Sequence, residues 1–115
     1  MSSNLHGVIA VEYEDRKFDV NIEKYDNGFF ISISEGPKNL GAMVMSVGTG
    51  PAPSTSIIIP VRNDLIFLKL ISQKIASEFR GVCIVSLSTK KELGSGAGKV
   101  LIERIMEAVR DDGHS

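Results

Sequence analysis

The chain has no tryptophan and a single cysteine, Cys83, among its 115 residues, so no internal disulfide can staple it. An unstapled chain of this kind fits a reducing compartment, and the expected location is the cytoplasm. An excess of one charge is also missing: 13 Lys and Arg stand against 14 Asp and Glu, a net charge of −1. Such a balance supplies no basic field to hold a nucleic-acid backbone or an anionic membrane. No apolar run approaches the roughly 18–20 residues of a membrane span, and the start, Met1-Ser2-Ser3-Asn4-Leu5-His6-Gly7, does not read as a signal peptide. Internal repeats, charge blocks and linkers are absent as well. What is present is 43% hydrophobic and 23% charged residues, the composition of a globular domain rather than a disordered chain. One domain is expected over residues 7–110, with flexible ends at 1–6 and 111–115.

From Gly7 to Val61 the pattern is that of strands. Val8 to Tyr13 reads as the first, and Glu14-Asp15-Arg16-Lys17 as its polar turn. Phe18-Asp19-Val20-Asn21-Ile22-Glu23 alternates apolar and polar residues, the period of a half-buried strand. Asn27 and Gly28 both tolerate the positive φ of a type I′ turn. A two-residue loop there predicts Tyr25 opposite Phe30 and Ile22 opposite Ile33. One face of that hairpin carries Phe18, Val20, Ile22, Phe29, Ile31 and Ile33; the other carries Asp19, Asn21, Glu23, Ser32 and Ser34, with Tyr25 and Phe30 near the turn.

Pro37 breaks the chain after Ile33-Ser34, and Gly41 to Val47 forms a fourth strand, apolar on both faces. Gly48 to Thr55 is a glycine- and proline-rich loop, and Ile57-Ile58-Ile59 is β-branched throughout. The period then changes to three and four at Leu68, Ile71, Ile75 and Phe79, a helix capped by Asn63 or Asp64 and ended by Gly81. Val82 to Leu87 is a mostly apolar strand, as expected where both faces are covered. A final helix begins near Ser95 to Ala97 and turns Leu101, Ile105, Ala108 and Val109 inward, with the tail from Asp111 frayed.

The fold class is therefore α+β: a mostly antiparallel six-stranded sheet, order βββββαβα, with two helices on one face. Two helices cover only one face. The other contains Tyr25, Phe30 and part of the Met43/Met45 or Val44 set among serines and charges. A partner sheet, most simply from a second copy of the chain, covers it.

The motif nearest to chemistry is Gly94-Ser95-Gly96-Ala97-Gly98-Lys99-Val100. A Walker-type loop needs one more residue between its first glycine and Gly98, and a hydroxyl where Val100 stands. Small residues that let a helix start pack closely explain the run better, with anion binding by the free amides as the alternative. Cys83 lies among apolar neighbours and reads as structural. His6 and His114 sit near the two ends, and neither belongs to a triad or metal site. Ser95 and Lys99 stand one turn apart, but serine–lysine catalysis needs a buried lysine. Asp111 and Asp112 lie in a tail without fixed geometry, and Glu12 and Glu14 lie near a turn in water. No nucleophile, base and stabiliser assemble, so no catalysis, metal or cofactor is expected.

The segment Ile33-Ser34-Glu35-Gly36-Pro37-Lys38-Asn39-Leu40-Gly41-Ala42-Met43-Val44 resembles the strand–turn–strand of the proteasome assembly chaperone 3 family, in which a glycine, a lysine and a second glycine take the spacing of Gly36, Lys38 and Gly41. Ile59 to Phe79, with Asp64-Leu65-Ile66 opening a helix that contains Ile71-Ser72-Gln73-Lys74-Ile75-Ala76, is similar too. So is Val82 to Leu87 running through a polar turn into the last helix. The likeness spans Glu12 to Val109; the Gly94 to Gly98 run departs from it.

The resemblance implies a non-enzymatic chaperone, a homodimer or a heterodimer with a related chain, that binds proteasome α-subunits and promotes α-ring assembly. On that reading Pro37, Lys38 and Asn39 of the turn and Thr49, Pro51 and Pro53 of the loop contact the partner. Tyr25, Phe30, Ser32, Met43 and Met45 form the dimer surface. A different protein-binding scaffold, or a phosphate- or nucleotide-binding protein using Gly94 to Lys99, are the alternatives.

Overall fold

The computed structural model describes residues 6–114, and side chains over 7–111. Strands β1 (His6–Tyr13), β2 (Arg16–Tyr25), β3 (Gly28–Ser34), β4 (Ala42–Val47) and β5 (Ser54–Ile59) precede helix α1 (Leu65–Phe79), strand β6 (Val82–Ser88) and helix α2 (Gly94–His114). The order is the expected βββββαβα. One six-stranded sheet results, β1-β2-β3-β6-β4-β5, antiparallel except where β3 and β6 run parallel. The last strand is thus threaded into the middle. Residues 35–41 cross the end of β6 to reach β4, and the Gly41 amide donates to Ser86 Oγ at 3.0 Å on the way.

Both helices lie on one face, called here the inner face. Phe18, Val20 and Ile22 of β2, Phe29, Ile31 and Ile33 of β3, and Cys83, Val85 and Leu87 of β6 meet Leu68, Ile71 and Ile75 of α1 and Leu101, Ile105 and Val109 of α2 in one core. Most of these side chains are fully buried, each worth about 1.5–3 kcal/mol. Phe29 and Phe79 close the core edge-to-face, centroids 5.2 Å apart at 68°. Ala108 is only half-buried, because the inward stripe of α2 runs through Ile105 and Val109 to either side of it.

Local expectations are corrected at the hairpin turn and at the helix ends. The β2–β3 turn is Asp26-Asn27, so Tyr25 faces Gly28, Glu23 faces Phe30, and Ile22 faces Ile31 rather than Ile33. Neither Asn27 nor Gly28 has positive φ. Gly28 is needed instead because a Cβ there would collide with the Val82 carbonyl of the adjoining β6. The register moves by two residues, so the faces of the hairpin are unchanged.

At the start of α1, Asp64 takes a left-handed conformation (φ 66°) and makes no side-chain cap. Its carboxylate accepts the Leu93 amide, 3.2 Å from both oxygens, and so ties the two helix starts together. At the end of α1 the left-handed residue is Arg80 (φ 51°), not Gly81. Gly81 is there because any Cβ would strike the Asn27 carbonyl.

Helix α2 starts at Gly94, one residue before the expected Ser95, and runs to His114. The first five residues and Ser115 lie outside the described residues, as do the side chains of His6 and His114.

Candidate interaction surface

The outer face of the sheet is built by the other half of the strand alternation. Register lines up Glu23, Phe30, Ile84, Met45 and Ser56 in one row across five strands. The next row is Asn21, Ser32, Ser86 and Met43, and on the other side stand Tyr25, Gly28, Val82 and Val47. The middle of this face is therefore apolar and uncharged: Phe30, Ile84 and Met45, flanked by Val82, Val47 and Met43. Lys17, Asp19 and Glu23 form a charged margin on β2, all exposed. Tyr25 remains 47% exposed at one corner.

The five residues assigned to this face from sequence, Tyr25, Phe30, Ser32, Met43 and Met45, do share it. Val44 is on the inner face, fully buried. Sequence reading left out Val82, Ile84 and Val47. The signal was present, since β6 is apolar at both parities, but only the parallel pairing of β3 with β6 shows that its outward residues sit at the centre.

The exposed turn Pro37-Lys38-Asn39 precedes β4, and the loop carrying Thr49, Pro51 and Pro53 follows it. They lie at opposite ends of that strand, about 20 Å apart at 3.3 Å per residue. The structure does not bring them together.

The turn end is the better anchored. Arg16 forks onto Glu35, Nε to Oε2 at 2.9 Å and Nη2 to Oε1 at 2.7 Å, with both side chains largely buried. The same guanidinium stacks on Phe18, 5.0 Å from its centroid. The Arg16 hydrogen bonds hold the Glu35 carboxyl down at about 2 despite its burial. This pair, absent from the sequence reading, joins residues 19 apart and has no local signature.

Elsewhere the side chains offer little chemistry. Burial pushes the Cys83 thiol up to about 12, far from a reactive thiolate. Ser95 and Lys99 are exposed at the start of α2. The glycines of that run serve different ends: a Cβ on Gly96 would strike the Tyr13 hydroxyl, Gly94 takes a positive φ of +77°, and a Cβ on Gly98 would make an ordinary 3.5 Å contact with the Phe67 ring. Among the described residues no three His, Cys, Asp or Glu side chains are grouped to hold a metal. A groove of about 1120 Å³ runs between the helices, with Ile66, Leu70, Ile102 and Met106 in its lining. None of the described helices is long and apolar enough to cross a membrane.

No protein-family model and no curated protein matches this sequence. Among solved structures, the chain is similar to a chain of a chaperone complex for yeast 20S proteasome assembly, with a TM-score of 0.55. The likeness covers 93% of this chain and 91% of that one at 13% identity, so what the two share is the fold.

Proposed function

We propose that this protein is a non-enzymatic chaperone of proteasome assembly in the cytoplasm, one that pairs with a second copy through the outer face of its sheet, binds proteasome α-subunits and promotes α-ring assembly. The observation that carries this reading is the uncharged centre of the outer face, Phe30, Ile84 and Met45 in register across three strands, on a fold that a chain of a yeast assembly-chaperone complex shares almost end to end. An apolar sheet face bordered by charge along one margin is a surface for another protein. Pairing sheet on sheet gives each copy the second layer that its two helices cannot supply.

With the outer face occupied, contact with an α-subunit falls to the strand ends: the turn with Pro37, Lys38 and Asn39, and the loop with Thr49, Pro51 and Pro53. Contacts of that size are modest, which suits a chaperone that later subunits must displace. Co-purification tests the reading. The tagged chain should retain free α-subunits and leave finished proteasomes behind; failure to retain α-subunits at micromolar concentration contradicts it.

A further inference from the structure

The end of the sheet where β3 and β6 finish holds two lysines beside one buried anchor. Glu35 takes the Arg16 fork on both oxygens and also accepts the Lys90 amide at 2.9 Å. Arg16 reaches on to the carbonyls of Lys91 and Glu92, at 3.0 and 2.8 Å. The turn that begins at Gly36 and the segment Lys90 to Glu92 are thereby fastened to the same pair. Gly36 has φ +89°, and a Cβ on it would stand 3.2 Å from Lys90 Cε, so the Lys90 side chain lies along the turn that carries Lys38.

Lys38 and Lys90 are both exposed, and neither forms a salt bridge among the described residues. Glu35 is the carboxylate within the anchor, and its oxygens are taken by Arg16. Arg16 and Glu35 offset each other, with Asp64 adding negative charge near Arg16 and Lys90 positive charge near Glu35, so the exposed cations of the turn are Lys38 and Lys90. Glu14 and Glu92 line a hollow with Arg16 itself, Tyr13, Lys91 and Gly94, on the side of the anchor away from Lys38 in sequence. Next to the lysines, Pro37 is exposed and Leu40 is 63% exposed, an apolar foothold at the same tip.

We infer that this tip docks an acidic segment of a partner protein, with carboxylates on Lys38 and Lys90 and an apolar side chain against Leu40. Two exposed lysines beside an anchored turn attract the opposite charge and help fix register. A nucleic-acid strand is the poorer fit, since two lysines neutralise few phosphates. The identity of the partner, an α-subunit, rests on the chaperone reading; the chemistry of the tip does not.

The test has two arms, both on the full chain. In the first, isotope-labelled protein is titrated with the peptide Asp-Glu-Leu-Glu-Asp-Leu-Glu-Asp and, separately, with oligothymidine. Amide shifts should concentrate at residues 36–40 and 89–91, weaken with salt, and vanish in the double variant Lys38→Glu/Lys90→Glu, whose fold is checked by circular dichroism. Shifts spread equally over Lys17, Lys24, Lys69, Lys74 and Lys99, or an equal response to oligothymidine, would overturn the inference. In the second arm, capture of α-subunits by the double variant should fall at least about tenfold, as for paired charges at a docking site. Capture that survives the double reversal sinks the inference alone. If wild type captures no α-subunit while the peptide still maps to the tip, the chaperone reading fails and the docking site stands.

Discussion

Gly28 stands so close to Val82 that a Cβ on it would overlap the Val82 carbonyl, while the Val82 amide donates to the Asn27 carbonyl at 2.8 Å. Both neighbours of that contact are main chain, which cannot swing aside. Gly28→Ala is therefore expected to cost more than about 3 kcal/mol in urea unfolding, the upper range for overpacking. Asn27→Ala, at an exposed turn position whose φ is not positive, is expected to cost less than about 0.5 kcal/mol. The reverse order would restore a type I′ turn at Asn27-Gly28.

That contact also explains what local sequence conveyed and what it did not. The alternation from Phe18 to Glu23 and the helical spacing from Leu68 to Phe79 are properties of single elements, and both lead directly to the observed core. A glycine next to an asparagine carries the signature of a tight turn, and nothing nearby says that β6, more than 50 residues later, will press against it. Gly81 misleads in the same way, because its small size serves the approach to Asn27 rather than the end of α1. The outer face was half legible: its β3 members follow from alternation, β4 is apolar at both parities and leaves Met43 and Met45 against Val44 open, and Ile84 becomes central only when β6 is inserted between them. Arg16 and Glu35 look like ordinary polar turn residues until the fold brings them together.

The same pair makes stability depend on pH. The Glu35 carboxyl is held at about 2 in the folded chain against an ordinary 4.5. A depressed carboxyl contributes stability that is fully present above pH 4.5 and is lost as pH falls toward 2. At neutral pH, Glu35→Gln leaves the largely buried Arg16 without the carboxylate it forks onto, with the more distant Asp64 as a partial offset, and should cost up to about 3–5 kcal/mol. The gap between wild type and this variant should narrow between pH 4.5 and pH 2 in thermal or urea melts. A gap that stays constant over that window would mean that the carboxyl is not held down by Arg16.

A chain of hydroxyls fixes α1 on the far side of the sheet. Ser46 Oγ lies 2.8 Å from Thr55 Oγ1 and 2.7 Å from Ser72 Oγ, and Gln73 Nε2 donates to Thr55 at 2.6 Å. Ser46→Ala removes the middle link and leaves the buried Ser72 with only a 3.4 Å contact to the Lys69 carbonyl. It should cost about 1–3 kcal/mol, against about 1 kcal/mol for Ser72→Ala, after which Ser46 keeps Thr55. The double variant should cost less than the sum of the two. Strict additivity in urea unfolding would show that the link between them contributes nothing.

Whether the row Phe30–Ile84–Met45 is an interface is decided most directly by mass in solution. Sedimentation equilibrium of the wild-type chain should return about 25 kDa, twice the 12.5 kDa of one copy, and Ile84→Glu should return 12.5 kDa with an unchanged circular dichroism spectrum. A wild-type chain that stays at 12.5 kDa up to its highest soluble concentration would contradict pairing through this face.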